Sequence, residues 1–423
     1  MLQEKRLKES INGDLGTMNS KMNVKKLIYF LCLFPLVKPA GLTYIQSFNT
    51  IFQVWKIVSL IFMSIYIVCH VGIVKRIIEG KYKFLHGLGG LVIFETIYVV
   101  NSIIREVECV DIINNCLTNI VLIVFLIVVY KSGKRTKLIE SLSCVFILNI
   151  VFQAISMILE RLNVIIFRAL DGSPTYYLGP DNYSAFFTIP MIGLLLYFGY
   201  DQKNTLKFKT RDLILVFILT ACYVWTGSVT AACSLLLLIL ILMFSDRRSK
   251  VIKFLSPKQV IFFLIILFIL IVVFDIQNSF GNLLRFVGKE QNGFSLNSRT
   301  FIWANAINLI IKKPLMGYGN LSDAEISNYI LYGASHAHNI GLELLLRTGI
   351  IGTLAYLYFV LSPIYRNKKR FFYTKAKVLL VSVTIYIILS FMDFYPLLQM
   401  PYLLFSIVYL SIDSETPQNT LAN

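Results

Sequence analysis

Apolar residues occur in long blocks that recur along the whole chain. Blocks of roughly 18 to 22 residues are long enough to cross about 30 Å of hydrocarbon as α-helices. The pattern therefore predicts an all-α polytopic membrane protein, with a single transmembrane domain over residues 27–412. The twelve predicted spans are 27–43, 52–74, 84–104, 112–130, 138–159, 184–200, 212–226, 229–245, 259–275, 349–365, 377–393 and 396–412.

Charged residues are scarce and lie mainly between these blocks. The chain has 423 residues, of which 57% are hydrophobic and only 15% charged, and its net charge is +17. Every second segment between the predicted spans is rich in Lys and Arg. Together these segments contain 29 of the 40 Lys and Arg residues; they are 1–26, 75–83, 131–137, 201–211, 246–258, 366–377 and the C-terminal tail. Because Lys and Arg are enriched in cytoplasmic loops, we predict that both tails, 1–26 and 413–423, are cytoplasmic. The same distribution predicts a bilayer and no nucleic acid as partner.

One boundary between spans leaves two alternatives. Thr226, Gly227 and Ser228 separate the blocks 212–226 and 229–245. These residues form either a tight outer turn or a break within one re-entrant pair. The second alternative would reverse the side assigned to every later segment.

Two outer loops are long, at residues 160–183 and 276–348. In the second, Asn297 or Ser298 can cap a helix that stops before Pro314, and Ser322 with Glu325 has the spacing of a capping box. A third helix is predicted to begin near His338. A loop of this size usually has its own structure and function, so we predict a helical catalytic cap between the ninth and tenth spans.

Candidate chemistry concentrates in these loops. His336 and His338 lie together in the second loop, whereas His70 and His86 lie near helix edges. The H-x-H spacing suits a metal only if further ligands are nearby, and one histidine acting as general base beside a phosphate-binding arginine needs fewer coincidences. We expect no metal and no cofactor.

Four short stretches of the second loop carry a family resemblance. They are N-S-R-T-F-I-W from Asn297, K-P-L-M-G-Y-G from Lys313, H-A-H-N-I-G-L-E from His336 and R-T-G-I-I-G-T-L from Arg347. His338-Asn339 is followed by nine residues and then Gly349-Ile-Ile-Gly352, an H-N-x9-G-x-x-G pattern. In this order the stretches resemble the signature loop of the O-antigen polymerase and ligase family.

The resemblance implies a metal-independent glycosyltransferase that uses oligosaccharides carried on a polyprenyl diphosphate such as undecaprenyl diphosphate. It implies that His338 is the base or orienting group and that Arg299 holds the diphosphate, with Arg168 of the first loop as a second phosphate ligand. It also implies location in the cytoplasmic membrane, and a chain-length regulator and a flippase as candidate partners.

Further site residues are predicted with alternatives. The family often has an arginine where this chain has Val229, so Arg161 or Arg347 is a candidate replacement as phosphate contact. Four residues separate Glu343 from Arg347, so Glu343 is either a catalytic carboxylate or the ion-pair partner of Arg347. Trp303 either stacks on a sugar or packs in the core of the cap, and Asn339 completes the predicted substrate-binding set.

Three functions remain open. The first is polymerisation of lipid-linked repeats into capsule, exopolysaccharide or O-antigen, which we prefer because the composition suggests an AT-rich genome, and many such bacteria have no lipopolysaccharide. The second is ligation of finished glycan to an acceptor. The third is a flippase for lipid-linked sugars, which twelve helices would fit but which has little use for a large structured outer loop.

Overall fold

The computed structural model of the chain is mostly helical. It describes residues 24–37, 39–82, 85–106, 109–164, 167–168, 174–201, 208–244, 257–270, 296–332, 334, 336–367, 371, 375–391, 393–395 and 397–413. The first part of the predicted catalytic loop, 276–295, lies outside these residues, as do the two tails apart from residues 24–26 and 413.

The α-helices of the described residues run in chain order as follows. They are α1 (Val24–Leu33), α2 (Gln46–Cys69), α3 (Val71–Ile78), α4 (Leu88–Ile104), α5 (Val110–Lys131), α6 (Arg135–Arg161), α7 (Asp181–Gly199), α8 (Thr210–Thr226), α9 (Val229–Phe244), α10 (Pro257–Phe268), α11 (Leu296–Lys312), α12 (Asp323–Tyr329), α13 (Ile340–Arg366), α14 (Lys377–Ser390) and α15 (Gln399–Asp413).

Several helices can cross a membrane, which agrees with the predicted class of multi-pass membrane protein. Five of the described helices are long and apolar enough by themselves: Gln46–Cys69, Val110–Lys131, Arg135–Arg161, Asn182–Gly199 and Ile340–Arg366. Shorter apolar helices cover Leu88–Ile104, Val229–Met243, Lys377–Ser390 and Gln399–Ile412. The total of twelve spans stays a prediction.

A small β-sheet departs from the all-α expectation. It lies in the first outer loop and has three antiparallel strands, β1 (Phe167–Arg168), β2 (Pro174–Tyr176) and β3 (Gly179–Pro180). Phe167 pairs with Thr175, and Tyr176 pairs with Gly179. Segments of two or three residues are too short for a strand pattern to be recognised in sequence. β3 leads directly into α7, so the sheet fixes where that helix begins.

The doubtful boundary at Gly227 is a tight turn. Gly227 has a φ of 81°, and its N–H caps the end of α8. Helix α9 begins two residues later and packs against α8. A glycine with positive φ at this position is the usual way to end a helix. The two helices therefore form a pair joined by a tight turn. Whether this turn lies at the outer face or within a re-entrant pair has no test in these contacts, so both sequence alternatives stay predictions.

The two ends of the bundle differ in chemistry. The site residues described below lie at the C-terminal ends of α4 and α14 and the N-terminal ends of α7, α11 and α13. The basic stretch Lys131 to Lys137 joins α5 to α6 at the opposite end, where α13 finishes at Arg366 and α14 begins at Lys377. The predicted catalytic cap and the basic loops thus lie at opposite ends of the bundle.

Candidate functional site

A close contact between α4 and α13 sets the scaffold of the site. A Cβ at Gly90 on α4 would lie 2.4 Å from the carbonyl oxygen of Ala355 on α13. Further along, Arg347 Nη1 of α13 donates to the Tyr98 hydroxyl of α4 at 2.9 Å. The two helices are therefore antiparallel and fixed in register up to the site.

The glycine motif marks a kink in α13. Gly349 has a φ of 61° within the helix, and a Cβ there would lie 2.3 Å from the backbone of Leu315. The turn that contains Leu315 bonds to the interrupted helix, because Tyr318 N donates to Leu346 O at 2.8 Å and Ile350 N donates to Pro314 O at 2.8 Å. Only glycine allows both this backbone conformation and this close approach. The turn K-P-L-M-G-Y-G and the later glycines thus form one structural unit.

Glu343 and Arg347 form a buried pair beside this unit. Their side chains contact each other directly, and Glu343 is 1% exposed. Glu343 Oε2 also accepts the backbone N–H of Ala337 at 2.8 Å, and Arg347 Nη1 donates to Asn320 Oδ1 at 2.7 Å. A buried charged pair with these additional hydrogen bonds fixes its surroundings. Glu343 thus holds the backbone that leads to His338, and Arg347 joins this pair to the turn at Asn320.

The centre of the site joins two histidines to an aspartate. His336 Nε2 contacts Asp393 Oδ1 directly, and the rings of His336 and His338 have centroids 3.9 Å apart. His338 Nδ1 lies 3.4 Å from the same Asp393 oxygen without forming a hydrogen bond. The described contacts of His338 give Nε2 no protein partner, and 22% of the side chain is exposed. Nε2 is therefore the atom that a substrate can reach.

The two histidines differ in protonation. Burial disfavours the charged form of each, but the carboxylate of Asp393 outweighs burial at His336 and raises its pKa. The pKa of His338 is lowered because burial and the charges of His336 and Arg299 outweigh the attraction of Asp393. Burial opposes ionisation of Asp393 as well, yet the contact with His336 lowers the pKa of Asp393. These shifts favour an imidazolium at His336, a carboxylate at Asp393 and a neutral imidazole at His338.

Arg299 and Tyr395 border this group. Burial lowers the pKa of Arg299 from its ordinary value, although the charge of Asp393 acts in the opposite direction. An arginine retains its charge after such a shift. The Tyr395 hydroxyl donates to Asp393 Oδ2 at 3.1 Å, and its ring lies 4.9 Å from that of His336. The site therefore holds a partly desolvated guanidinium close to a neutral imidazole.

The first outer loop reaches the site through aromatic contacts. The ring of Tyr183, near the start of α7, lies 4.6 Å from the ring of Tyr395. Arg161 and Arg168 are exposed, the first at the end of α6 and the second in β1. Neither forms a hydrogen bond or ion pair with the histidines among the residues that the structure describes. Their predicted contact with phosphate stays a prediction.

Trp303 and Asn339 support the backbone on either side of His338. Trp303 is 1% exposed, and its indole N–H donates to Ala337 O at 3.0 Å. Asn339 caps α13 by accepting the N–H of Gly341 at 2.9 Å, while its amide donates to Phe391 O at 3.2 Å. These contacts favour a positioning role for both residues. The sequence-based prediction that both residues touch the substrate stays a prediction.

His336, His338 and Asp393 are also residue types that bind metals. Their candidate ligand atoms all lie within 4.8 Å of one another. His336 and Asp393 are also in direct contact, so the carboxylate can act as a hydrogen-bond acceptor for an imidazole. The arrangement suits proton transfer and charge stabilisation.

Sequence reasoning missed Asp393 and Tyr395, which lie just after α14. The stretch D-F-Y at 393–395 interrupts two apolar blocks. A lone acidic residue at a predicted outer helix end was the available signal, since such residues are costly beside a membrane. The prediction of a helix through residue 393 hid this signal.

Residues 214–357, about a third of the chain, match the family model described as O-antigen ligase. The matched region contains α13 up to Leu357 and the whole motif region from Asn297 to Leu354. This match supports the O-antigen polymerase and ligase family. A search among curated proteins found no match.

Proposed function

From this family assignment we propose that the protein is a polymerase of polyprenyl-diphosphate-linked oligosaccharide repeats. The single observation that carries the proposal is the position of His338, which is partly exposed, lies beside Asp393 and is close enough to Arg299 for that charge to lower its pKa. A base and a diphosphate ligand are the two groups that glycosyl transfer from a lipid diphosphate needs.

The reaction follows from this geometry. His338 Nε2 takes the proton from a hydroxyl of the acceptor repeat while that oxygen forms a bond with the anomeric carbon of the donor. The bond from this carbon to the diphosphate oxygen breaks, and the diphosphate leaves with the electron pair. Asp393, beside Nδ1, stabilises the imidazolium that forms. His336 keeps this carboxylate in place.

Arg299 stabilises the leaving group in this proposal. Negative charge on the diphosphate increases as the bond breaks, and a guanidinium can donate two parallel hydrogen bonds to phosphate oxygens. Partial burial strengthens that interaction, because fewer water molecules compete. Two lipid-linked substrates in one membrane plane also meet at high effective concentration.

The orientation of the bundle supports an outer location. The site and the described basic loops lie at opposite ends, and basic loops favour the cytoplasm. We therefore place the site at the outer face of the cytoplasmic membrane, with both termini in the cytoplasm. Capsule, exopolysaccharide or O-antigen is the product class, and a flippase and a chain-length regulator are the proposed partners.

The test replaces the proposed base. In cells, His338→Ala is expected to abolish long polymer while its membrane abundance stays at the wild-type level. The matched control is His86→Ala, since His86 is exposed and lies before α4, at the basic end of the bundle. Unchanged polymer in His338→Ala would overturn the proposal.

Two further measurements separate the alternatives. Gene deletion leaves single repeats on the carrier if the protein polymerises, and full-length unattached chains if it is a ligase. Purified protein in detergent makes longer glycans if it is an enzyme, whereas a flippase yields no new covalent product. We propose that no metal takes part, so excess EDTA should leave the rate of this reaction unchanged.

A further inference from the structure

A buried carboxyl group lies inside the bundle, away from the histidines. Glu95 on α4 is 2% exposed, and Asn119 on α5 is fully buried. Asn119 Nδ2 donates to Glu95 Oε1 at 3.1 Å. The other oxygen of each side chain, Glu95 Oε2 and Asn119 Oδ1, is buried without a hydrogen-bond partner. Two acceptors are therefore left over in one pair.

No cation compensates Glu95 within the described residues. The titratable groups near Glu95 are the Cys116 thiol of α5 and the Tyr402 hydroxyl of α15. Both groups are ordinarily neutral near pH 7, so neither can balance a carboxylate. An unpaired buried charge in a membrane protein is costly, and the unpaired oxygens add to that cost.

A proton on the Glu95 carboxyl group removes both the uncompensated charge and the unpaired oxygens. We propose that Glu95 is a neutral carboxylic acid in the folded protein and forms a two-bond ring with Asn119, in which Oε2–H donates to Asn119 Oδ1. Carboxyl and amide groups are both planar, and they already share one hydrogen bond in this pair. The proton converts the unpaired Oε2 into a donor, so each of the two remaining oxygens gains a partner.

The pair positions the helix that carries the site turn. Three residues beyond Glu95, Tyr98 receives the hydrogen bond from Arg347. Ser102 Oγ accepts the N–H of Asn320 at 2.8 Å, and Arg105 Nη1 donates to the carbonyl oxygens of Tyr318 and Asn320 at 3.0 and 2.8 Å. α4 thus holds the turn against α13.

Near this pair, Tyr98 of α4 packs with Ile112 and Cys116 of α5, and Val99 and Leu397 lie beside them. The hydrogen bond between Glu95 and Asn119 adds a polar link between the same two helices. Glu95 and Asn119 are positioning residues for the proposed reaction, and this role alone depends on the proposed function.

Infrared spectroscopy tests the proton directly. At neutral pH, the difference spectrum between wild type and Glu95→Gln in detergent should show loss of the C=O stretching band of a protonated carboxylic acid. Loss of carboxylate bands instead would show that Glu95 is ionised and would overturn the proposal. This result does not depend on any enzymatic activity, so it stands or falls separately from the outcome for His338→Ala.

Rescue by the neutral isostere tests the positioning role. Glu95→Gln should keep the wild-type polymer length and apparent melting temperature, because an amide can also exchange two hydrogen bonds with Asn119. Glu95→Ala and Asn119→Ala should lower the melting temperature and reduce polymer. Glu79→Ala, at an exposed acid at the basic end, is the control and should change neither. Loss of polymer in abundant Glu95→Gln would overturn the role.

Discussion

His336 and His338 are two residues apart, yet their surroundings shift the pKa values of the two side chains in opposite directions. Both rings lie near Asp393, but only His336 contacts its carboxylate directly. The carboxylate can compensate one imidazolium, and the charge on that ring then disfavours a second one. Two residues of the same type thus differ in the form that their surroundings favour, the imidazolium at His336 and the neutral base at His338. This division depends on Asp393, which lies 55 residues after His338 in the chain.

The first prediction concerns this carboxylate. Asp393→Asn removes the charge that holds His336 and stabilises the imidazolium formed at His338. We expect the rate of repeat-unit transfer to fall by roughly 10²- to 10⁴-fold, the usual range for an impaired proton transfer. The measurement is the initial rate with purified protein and lipid-linked substrate. Asp201→Asn, at the basic end, is the control, and equal loss in both variants would contradict the assigned role.

The second prediction is a pH dependence. A general base must be deprotonated, and burial lowers the pKa of His338 from its ordinary value of about 6.5. Activity should therefore stay level as pH falls to about 6.5 and decline only below that value, where His338 becomes protonated. A pH profile of kcat/KM checks this. A decline that begins above pH 7 would contradict a neutral His338.

At the scale of elements, the kinked helix α13 is the central part of the site. Its glycine has a left-handed backbone and touches the turn that follows α11. This turn also forms hydrogen bonds with Ser102 and Arg105 at the end of α4. Three elements from distant parts of the chain are thus locked together next to the histidines. A change at the kink should reach the chemistry through backbone position alone.

The third prediction tests this kink. Gly349→Ala adds about 1–3 kcal/mol of backbone strain, because the φ and ψ of Gly349 lie in a region that only glycine adopts readily, and it adds a Cβ that would lie 2.3 Å from Leu315. We expect a lower melting temperature in detergent and loss of polymer. Gly89→Ala is the matched control, since a Cβ there has nothing within 4 Å. If Gly349→Ala behaves like this control, the kink has no structural role.

Sequence predicted several local elements of the cap, but the helix cap expected at Asn297 or Ser298 was wrong, since α11 already includes Leu296. The capping box of Ser322 and Glu325 is present, and α11 ends just before Pro314 as expected. Such signals act within a few residues, so they can be read from a single chain. The meeting of His338 with Asp393 depends on how α13 and α14 pack, and no local pattern contains it. The same reason explains why the burial of Trp303 could not be predicted.

At the scale of the whole molecule, the basic loops and the candidate site lie at different ends of the helical bundle. The described basic loops lie at one end, and the motif residues meet at the other. This separation follows from connectivity, because antiparallel helices with short connections place alternate loops on the same side. Loop charge in the sequence was therefore sufficient to predict which loops share an end.

The fourth prediction is the direction of the bundle. Tyr332 is 90% exposed in the cap, whereas Lys81 is exposed at the basic end. In intact cells, a membrane-impermeant thiol reagent should label Tyr332→Cys, and it should label Lys81→Cys only after permeabilisation. The parent protein, which has seven native cysteines, provides the background. The reverse pattern would place the site in the cytoplasm and exclude the proposed outer reaction.

The backbone of His338 has a further consequence. Its φ of 50° is uncommon for a residue with a side chain, and glycine tolerates that conformation better because it has no Cβ. Both His338→Gly and His338→Ala remove the imidazole, so His338→Gly should have the higher melting temperature of the two while neither makes polymer. The proposed reaction and the local backbone would then favour different residues at this one position.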